Sequence, residues 1–349
     1  PRYRLTYEDA DELIDFAPPE EADLSNLHAL LATRRRWRLE RGALLMDLPE
    51  GRIRCRDEQP TVEITEPSPS REMVAEAMIL CGTVAATKGI ENALALPFRS
   101  QLPAELPSAA QLEELADGAV RFAAIKRCLS RGLMGTTPAA HFSLGVPAYP
   151  QATSPIRRYS DLLVHRALID AANLKTAPRD GLNGLPDEQI AEICIHISET
   201  EANAAAAERR TIDRFAAALF TTRLRDVVEG VIVGITGFGT FVRLEDGVAD
   251  GFLPLAGLPD DFYDLDAAGR SLTGRQSGWC FTTGTALKVQ VDEVTPISGG
   301  ILLRWIEGGT VVDKKKRKGS SSHRQVKRGK AGVHGSTSVA KRKGGRKRR

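Results

Sequence analysis

The stretch from His141 to Arg166, HFSLGVPAYPQATSPIRRYSDLLVHR, decides how the chain is read. Its second half has the makings of a helix. Ser154 can cap the N-terminus, and Pro155 suits the first helical position, where a missing N–H costs nothing. Ile156, Tyr159, Leu163 and Ile169 then recur at helical spacing as an expected buried stripe. Arg157 and Arg158 fall in the expected first turn, where cations oppose the helix dipole. That placement makes sense if an anion is expected there, because free backbone N–H groups and two guanidinium forks form a phosphate site. Two readings stay open on spacing alone. Arg157 can instead pair with Asp161 four residues on, with Tyr159 in the core. His165, four residues after Asp161, suits a structural role better than a catalytic one.

Working outward, residues 8–224 read as mainly helical. Apolar residues recur at helical spacing in 71–89, in 108–134 and in 187–224, the last with an Ala-rich middle. The pattern changes after Asp226. Residues 227–242 alternate β-branched and polar side chains between glycines, and further strands are expected at 251–255, 286–294 and 300–305. Short strands punctuated by glycine over about 80 residues predict a small five-stranded barrel. Eight of the 19 aromatics fall in this window, more than a barrel core alone requires.

The net charge of +3 over 349 residues conceals two unlike parts. Of 48 Lys and Arg, 16 lie in the 36 residues after Asp313, which hold no acid; the rest of the chain keeps 32 basic against 45 acidic groups. The tail is too polar to bury a core and is expected to be disordered; it can serve as a solubilising or targeting tail, but its repeated Lys/Arg clusters favour polyanion binding, to structured RNA or the ribosome. No apolar run approaches the ~18 residues of a membrane span, so no membrane partner is expected. The cysteines, at 55, 81, 128, 194 and 280, form no close pair, which argues for reduced thiols and a cytoplasmic setting.

The segment Tyr149–Arg166, YPQATSPIRRYSDLLVHR, resembles the signature of the ribonuclease II/ribonuclease R family of exoribonucleases, the RNB catalytic domain. Other pieces agree in order: Arg4-Leu5-Thr6-Tyr7, Arg41-Gly42-Ala43, Met73 to Met78, and Pro97-Phe98-Arg99. The stretch from Gly230 to Val242 is similar to the S-one-type RNA-binding domain of that family. The resemblance implies an α+β fold: a mostly helical C-terminal part of an RNB domain over 1–224, a five-stranded OB-fold barrel over 226–306, and a basic tail over 314–349.

It also implies 3′-to-5′ hydrolysis of single-stranded RNA to nucleoside 5′-monophosphates with Mg²⁺, by a monomer. Arg157 matches the arginine at the scissile phosphate, Arg158 a backbone-contacting neighbour, and Glu76 a position that holds the terminal nucleotide. Tyr159 is placed with them on RNA. Tyr7 sits in a matching element without an assigned contact. On the barrel, Phe238, Phe241 and Phe252 are expected on the RNA face, although regular extension through Gly239 would turn the first two to opposite sides. Lys288, with Arg243 and Arg304, is expected on the RNA backbone.

The departures matter as much. The family's metal-binding aspartates lie upstream of the Leu-Thr-Tyr element, and this chain opens at Pro1, so it is expected to be the C-terminal part of the enzyme and incomplete alone. Asp260, Asp261, Asp264 and Asp266 read as loop acids. Met46 stands where the family often has a stacking aromatic, and Gly82 where it often has Asn. The rival reading is a non-catalytic RNA-binding protein with a degenerate RNB shell.

Overall fold

The structure is a computed structural model and describes residues 4–312 apart from 17–21, 46–48, 57–58, 114–117, 173–184, 245–246, 248 and 268. Met46 and the basic tail lie outside the described residues.

The first part is built on helices α1 (Tyr7–Phe16), α2 (Asp23–Glu40), α3 (Pro69–Glu91), α4 (Ala109–Glu113), α5 (Ala119–Cys128), α6 (Tyr159–Ala171) and α7 (Asp187–Phe220). Two small antiparallel pairs interrupt them: β1 (Glu50–Arg56) with β2 (Gln59–Thr65), and β3 (Phe98–Ser100) with β4 (Leu133–Gly135). The first hairpin is absent from the sequence reading, although Ile53 and Cys55 alternate with arginines in one strand and Val62 and Ile64 with polar residues in the other. The expected 108–134 helix is broken: Gly118, with φ +80°, precedes α5, and the chain turns extended at β4.

Helix α3 is the central element. Its buried face is small, with Gly82, Ala85, Ala86 and Gly89, so α6 and the 94–98 segment pack close. A Cβ on Gly89 would lie 2.3 Å from Leu96 Cδ1. The helix is long and apolar enough by composition to cross a membrane, yet it carries the buried Glu76 and packs against α1, α2 and α6, as a core helix does.

The second part is a closed barrel in the order β5-β6-β7-β12-β11, returning to β5. Its strands are β5 (Val227–Thr236), β6 (Gly239–Leu244), β7 (Asp250–Pro254), β11 (Ala286–Thr295) and β12 (Gly300–Gly308). All neighbours are antiparallel except β7 and β12. Alternate residues point inward, and Val228, Ile232, Val242, Leu253, Val289, Val291 and Leu303 fill the interior. Between β7 and β11 the chain makes a second sheet from β8 (Tyr263–Leu265), β9 (Ser271–Gly274) and β10 (Trp279–Thr282), joined by β13 (Thr310–Val311). This corrects the loop reading for Asp264, which lies in β8 and pairs with Arg275. Asp261 holds the backbone N–H groups of Phe262, Gln276 and Ser277, and Asp266 those of Arg270 and Ser271.

Residues 1–312 form one compact unit. The end of α7 explains why: Ala216, Ala217 and Phe220 belong to the same buried cluster as the barrel interior. The helical part and the barrel thus share a core across the expected 224–226 boundary.

Candidate nucleic-acid interface

The arginine pair is presented by a turn rather than by a helix. The N–H groups of Arg157 and Arg158 both donate to Ser154 O, at 3.2 and 3.0 Å, and α6 begins only at Tyr159 with Arg158 as its N-cap. The expected stripe is therefore corrected. Leu163 is buried, whereas Ile156 is fully exposed and Tyr159 and Ile169 are partly so.

Asp161 is the reason. Its carboxylate, 0% exposed, accepts the Ser154 N–H at 2.8 Å, the Ser160 hydroxyl at 3.1 Å, and a two-pronged contact from Arg158, with Nε at 3.0 Å and Nη2 at 2.7 Å. Arg158 also reaches Thr153 Oγ1 at 3.3 Å. The carboxylate closes the turn from within and draws Arg158 inward. Arg157 is left exposed, with no side-chain partner among the described residues. The alternative pairing of Arg157 with Asp161 is thus not the one formed. His165 Nε2 donates to Ala152 O at 2.6 Å, a structural bond that ties α6 to the segment leading into the turn.

Glu76 lies on the α3 face toward α2 and is 1% exposed. Arg38 grips both its oxygens, with Nε at 3.0 Å and Nη2 at 2.5 Å, and Arg34 pairs with Oε1 while reaching Thr83 Oγ1 at 3.1 Å. Burial pushes the carboxyl up, but the hydrogen bonds and charges of Arg38 and Arg34 outweigh it and hold the group below the ordinary range. Arg38 Nη1 also donates to Leu144 O at 2.6 Å, so the same guanidinium fixes the loop that opens the 141–166 segment. In this arrangement Glu76 is a clamp between helices, although it also forms part of the wall of a cleft lined by His28, Arg35 and Arg36. Neither Arg34 nor Arg38 is singled out by the sequence reading; their spacing of four on one helix face is the signal. Tyr7 packs under the Arg71 guanidinium, 4.1 Å from the ring centroid, where α1 meets α3.

Tyr149 occupies the floor of the same region, next to Gly82, His141 and Arg99. Arg99 forms an ion pair with Glu201 of α7.

On the barrel, Phe241 and Phe252 are cross-strand partners with ring centroids 5.3 Å apart, and Phe238 is 81% exposed. Phe238 lies in the turn before β6 rather than in a strand, so strand alternation does not fix its side. Each of the barrel cations has an acidic partner. Lys288 pairs with Glu307, Arg243 grips Asp250 at 2.8 and 2.9 Å, and Arg304 shares Asp292 with Arg225. Residues 226–306 hold five basic and eleven acidic groups. This barrel offers aromatic surface rather than positive charge.

The RNB domain model matches residues 1–173, and the S1 RNA binding domain model matches residues 223–303. The chain is similar to an uncharacterised ribonuclease of Synechocystis, 36% identical over 249 residues, which cover 71% of this chain and 36% of that protein. It is similar to ribonuclease R of Escherichia coli, 29% identical, covering 78% of this chain and 38% of that one. The fold resembles that of Mycoplasma genitalium RNase R solved with ribose-methylated single-stranded RNA, at TM-score 0.75 and 22% identity, over 87% of this chain and 53% of that one. The chain thus spans less than two fifths of the length of these curated relatives. With both domain models matched in order, the Ser154–Asp161 turn within the first match and the closed barrel over the second, the chain belongs to the RNB ribonuclease family and carries an S1 RNA-binding domain after its RNB segment.

Proposed function

We propose that this chain is the C-terminal part of a 3′-to-5′ exoribonuclease that hydrolyses single-stranded RNA to nucleoside 5′-monophosphates. The observation that carries the reading is the exposed Arg157, without a side-chain partner among the described residues, beside an Arg158 already committed to a buried carboxylate. A guanidinium fixed by its backbone but free at its head can meet a phosphate with little reorganisation, and a charge developing on that phosphate is stabilised by a few kcal/mol. Arg158 keeps the turn in shape. The exposed Phe238 with Phe241 and Phe252 supplies a stacking platform that tolerates any base. The 16 cations of the tail supply the phosphate attraction that the acidic barrel lacks, toward structured RNA or the ribosome. The protein acts as a cytoplasmic monomer.

Mg²⁺ would supply the activated water in this chemistry. The described residues do not fit it: no three His, Cys, Asp or Glu side chains among them group to hold a metal ion. No step is therefore routed through a metal on this chain. The second reading is a non-catalytic RNA-binding protein with a degenerate RNB shell. The two part on one experiment. RNA labelled at its 5′ end is incubated, with Mg²⁺, with the chain joined to whatever precedes it in its own coding sequence. Progressive shortening from the 3′ end with release of 5′-monophosphates supports the enzyme; binding without shortening supports the rival.

A further inference from the structure

The Tyr149 side chain is held more firmly than packing alone requires. Helix α3 is cleared for its ring: a Cβ on Gly82 would lie 2.2 Å from Tyr149 Cε2 and 2.6 Å from Pro150 O. Its carbonyl accepts the Arg99 N–H at 2.6 Å, and Pro150 bridges to Phe98. His141 meets the ring edge-on, at 6.2 Å between centroids and 82° between planes. With the ring fixed, the hydroxyl has no hydrogen-bond partner among the described residues. Its charged neighbours are Arg158, Arg99 and Asp161. Asp161 and Arg158 are committed to each other in the turn, and Arg99 pairs with Glu201 but keeps its buried Nε without a partner among the described residues.

We propose that Tyr149 is an RNA-contacting residue whose hydroxyl donates to a non-bridging phosphate oxygen of the strand that meets Arg157. Burial pushes the phenol above its ordinary value, so at neutral pH it is a donor. The proposal rests on the RNA reading above, but adds a neutral contact that neither charge nor spacing indicates. A phenol that donates to phosphate does not distinguish ribose from deoxyribose, and it releases no counterion.

The test uses the full chain and measures binding of single-stranded oligoadenylate RNA, and of DNA of the same sequence, across a salt series. Tyr149→Phe keeps the ring and its packing on Gly82. It is expected to weaken both ligands about fivefold to tenfold, with unchanged thermal midpoint and unchanged salt slope. Arg157→Ala is the parallel arm, and is expected to flatten the slope by about 0.7. Unchanged affinity in Tyr149→Phe while Arg157→Ala weakens binding overturns this inference and leaves the RNA reading standing. A loss confined to RNA overturns the phosphate assignment. If neither variant changes binding, both readings fall.

Discussion

Replacing Asp161 with Ala removes one carboxylate and strands several donors at once. The Ser154 N–H, the Ser160 hydroxyl and the Arg158 fork all end on this fully buried group. Arg158 would be left as an unpaired cation whose side chain is mostly buried, which costs about 3–5 kcal/mol. That is a large share of the ~5–15 kcal/mol that stabilises a typical domain. Urea unfolding of the full chain, followed by circular dichroism, measures it as a fall in midpoint at constant slope. Much of the loss comes from the stranded guanidinium, so it should be partly relieved when Arg158 is also absent. In an Arg158→Met background, Asp161→Ala should cost less by about 1–3 kcal/mol. If Asp161→Ala costs under ~1 kcal/mol, or the two substitutions simply add, the turn is not held in the way described.

Other expectations follow from the same geometry. Glu76→Gln should cost about 3 kcal/mol at neutral pH, because both guanidinium groups lose their buried counter-charge. The folded-state carboxyl sits below its ordinary value, so its contribution is present above the ordinary carboxylate range and disappears as pH falls through the lowered value; unfolding midpoints of wild type and variant should converge on acidification. Gly239→Ala places a Cβ 2.3 Å from Leu253 O and 2.8 Å from Pro254 Cα, both backbone atoms, and should destabilise by about 2 kcal/mol or more in thermal unfolding. Phe238→Ala should leave stability within ~0.5 kcal/mol, since the ring is exposed. It should weaken RNA binding by about 1–3 kcal/mol in a filter or anisotropy assay.

How much of this was legible in the sequence depended on the range of the interactions. The cores of α3 and α7 and the barrel strands follow from periodicity, which is local, and the observed ranges match the expected ones to within a few residues. The start of α6 did not, because Ser154 and Pro155 open a single hydrogen-bonded turn, and the extended backbone of Arg158 separates that turn from the helix beginning at Tyr159. The partners of Glu76 lie 38 and 42 residues upstream, and no spacing rule links them. Gly82 is a departure without a meaning until Tyr149 is seen against it. The barrel cations are expected on the RNA backbone, and the acids that pair them sit on neighbouring strands whose register only the fold sets.

The central claim is that Asp161 and Arg158 build a turn so that Arg157 can stabilise charge on a phosphate in an exoribonuclease. The most direct test compares wild type and Arg157→Ala, each joined to whatever precedes it in its own coding sequence and with Mg²⁺, by single-turnover shortening of 5′-labelled RNA and by RNA affinity. The account predicts a fall in the cleavage rate of about 10²–10³ with affinity changed only a few-fold. Equal losses in rate and affinity, or a wild-type protein that binds RNA and never shortens it, would contradict it.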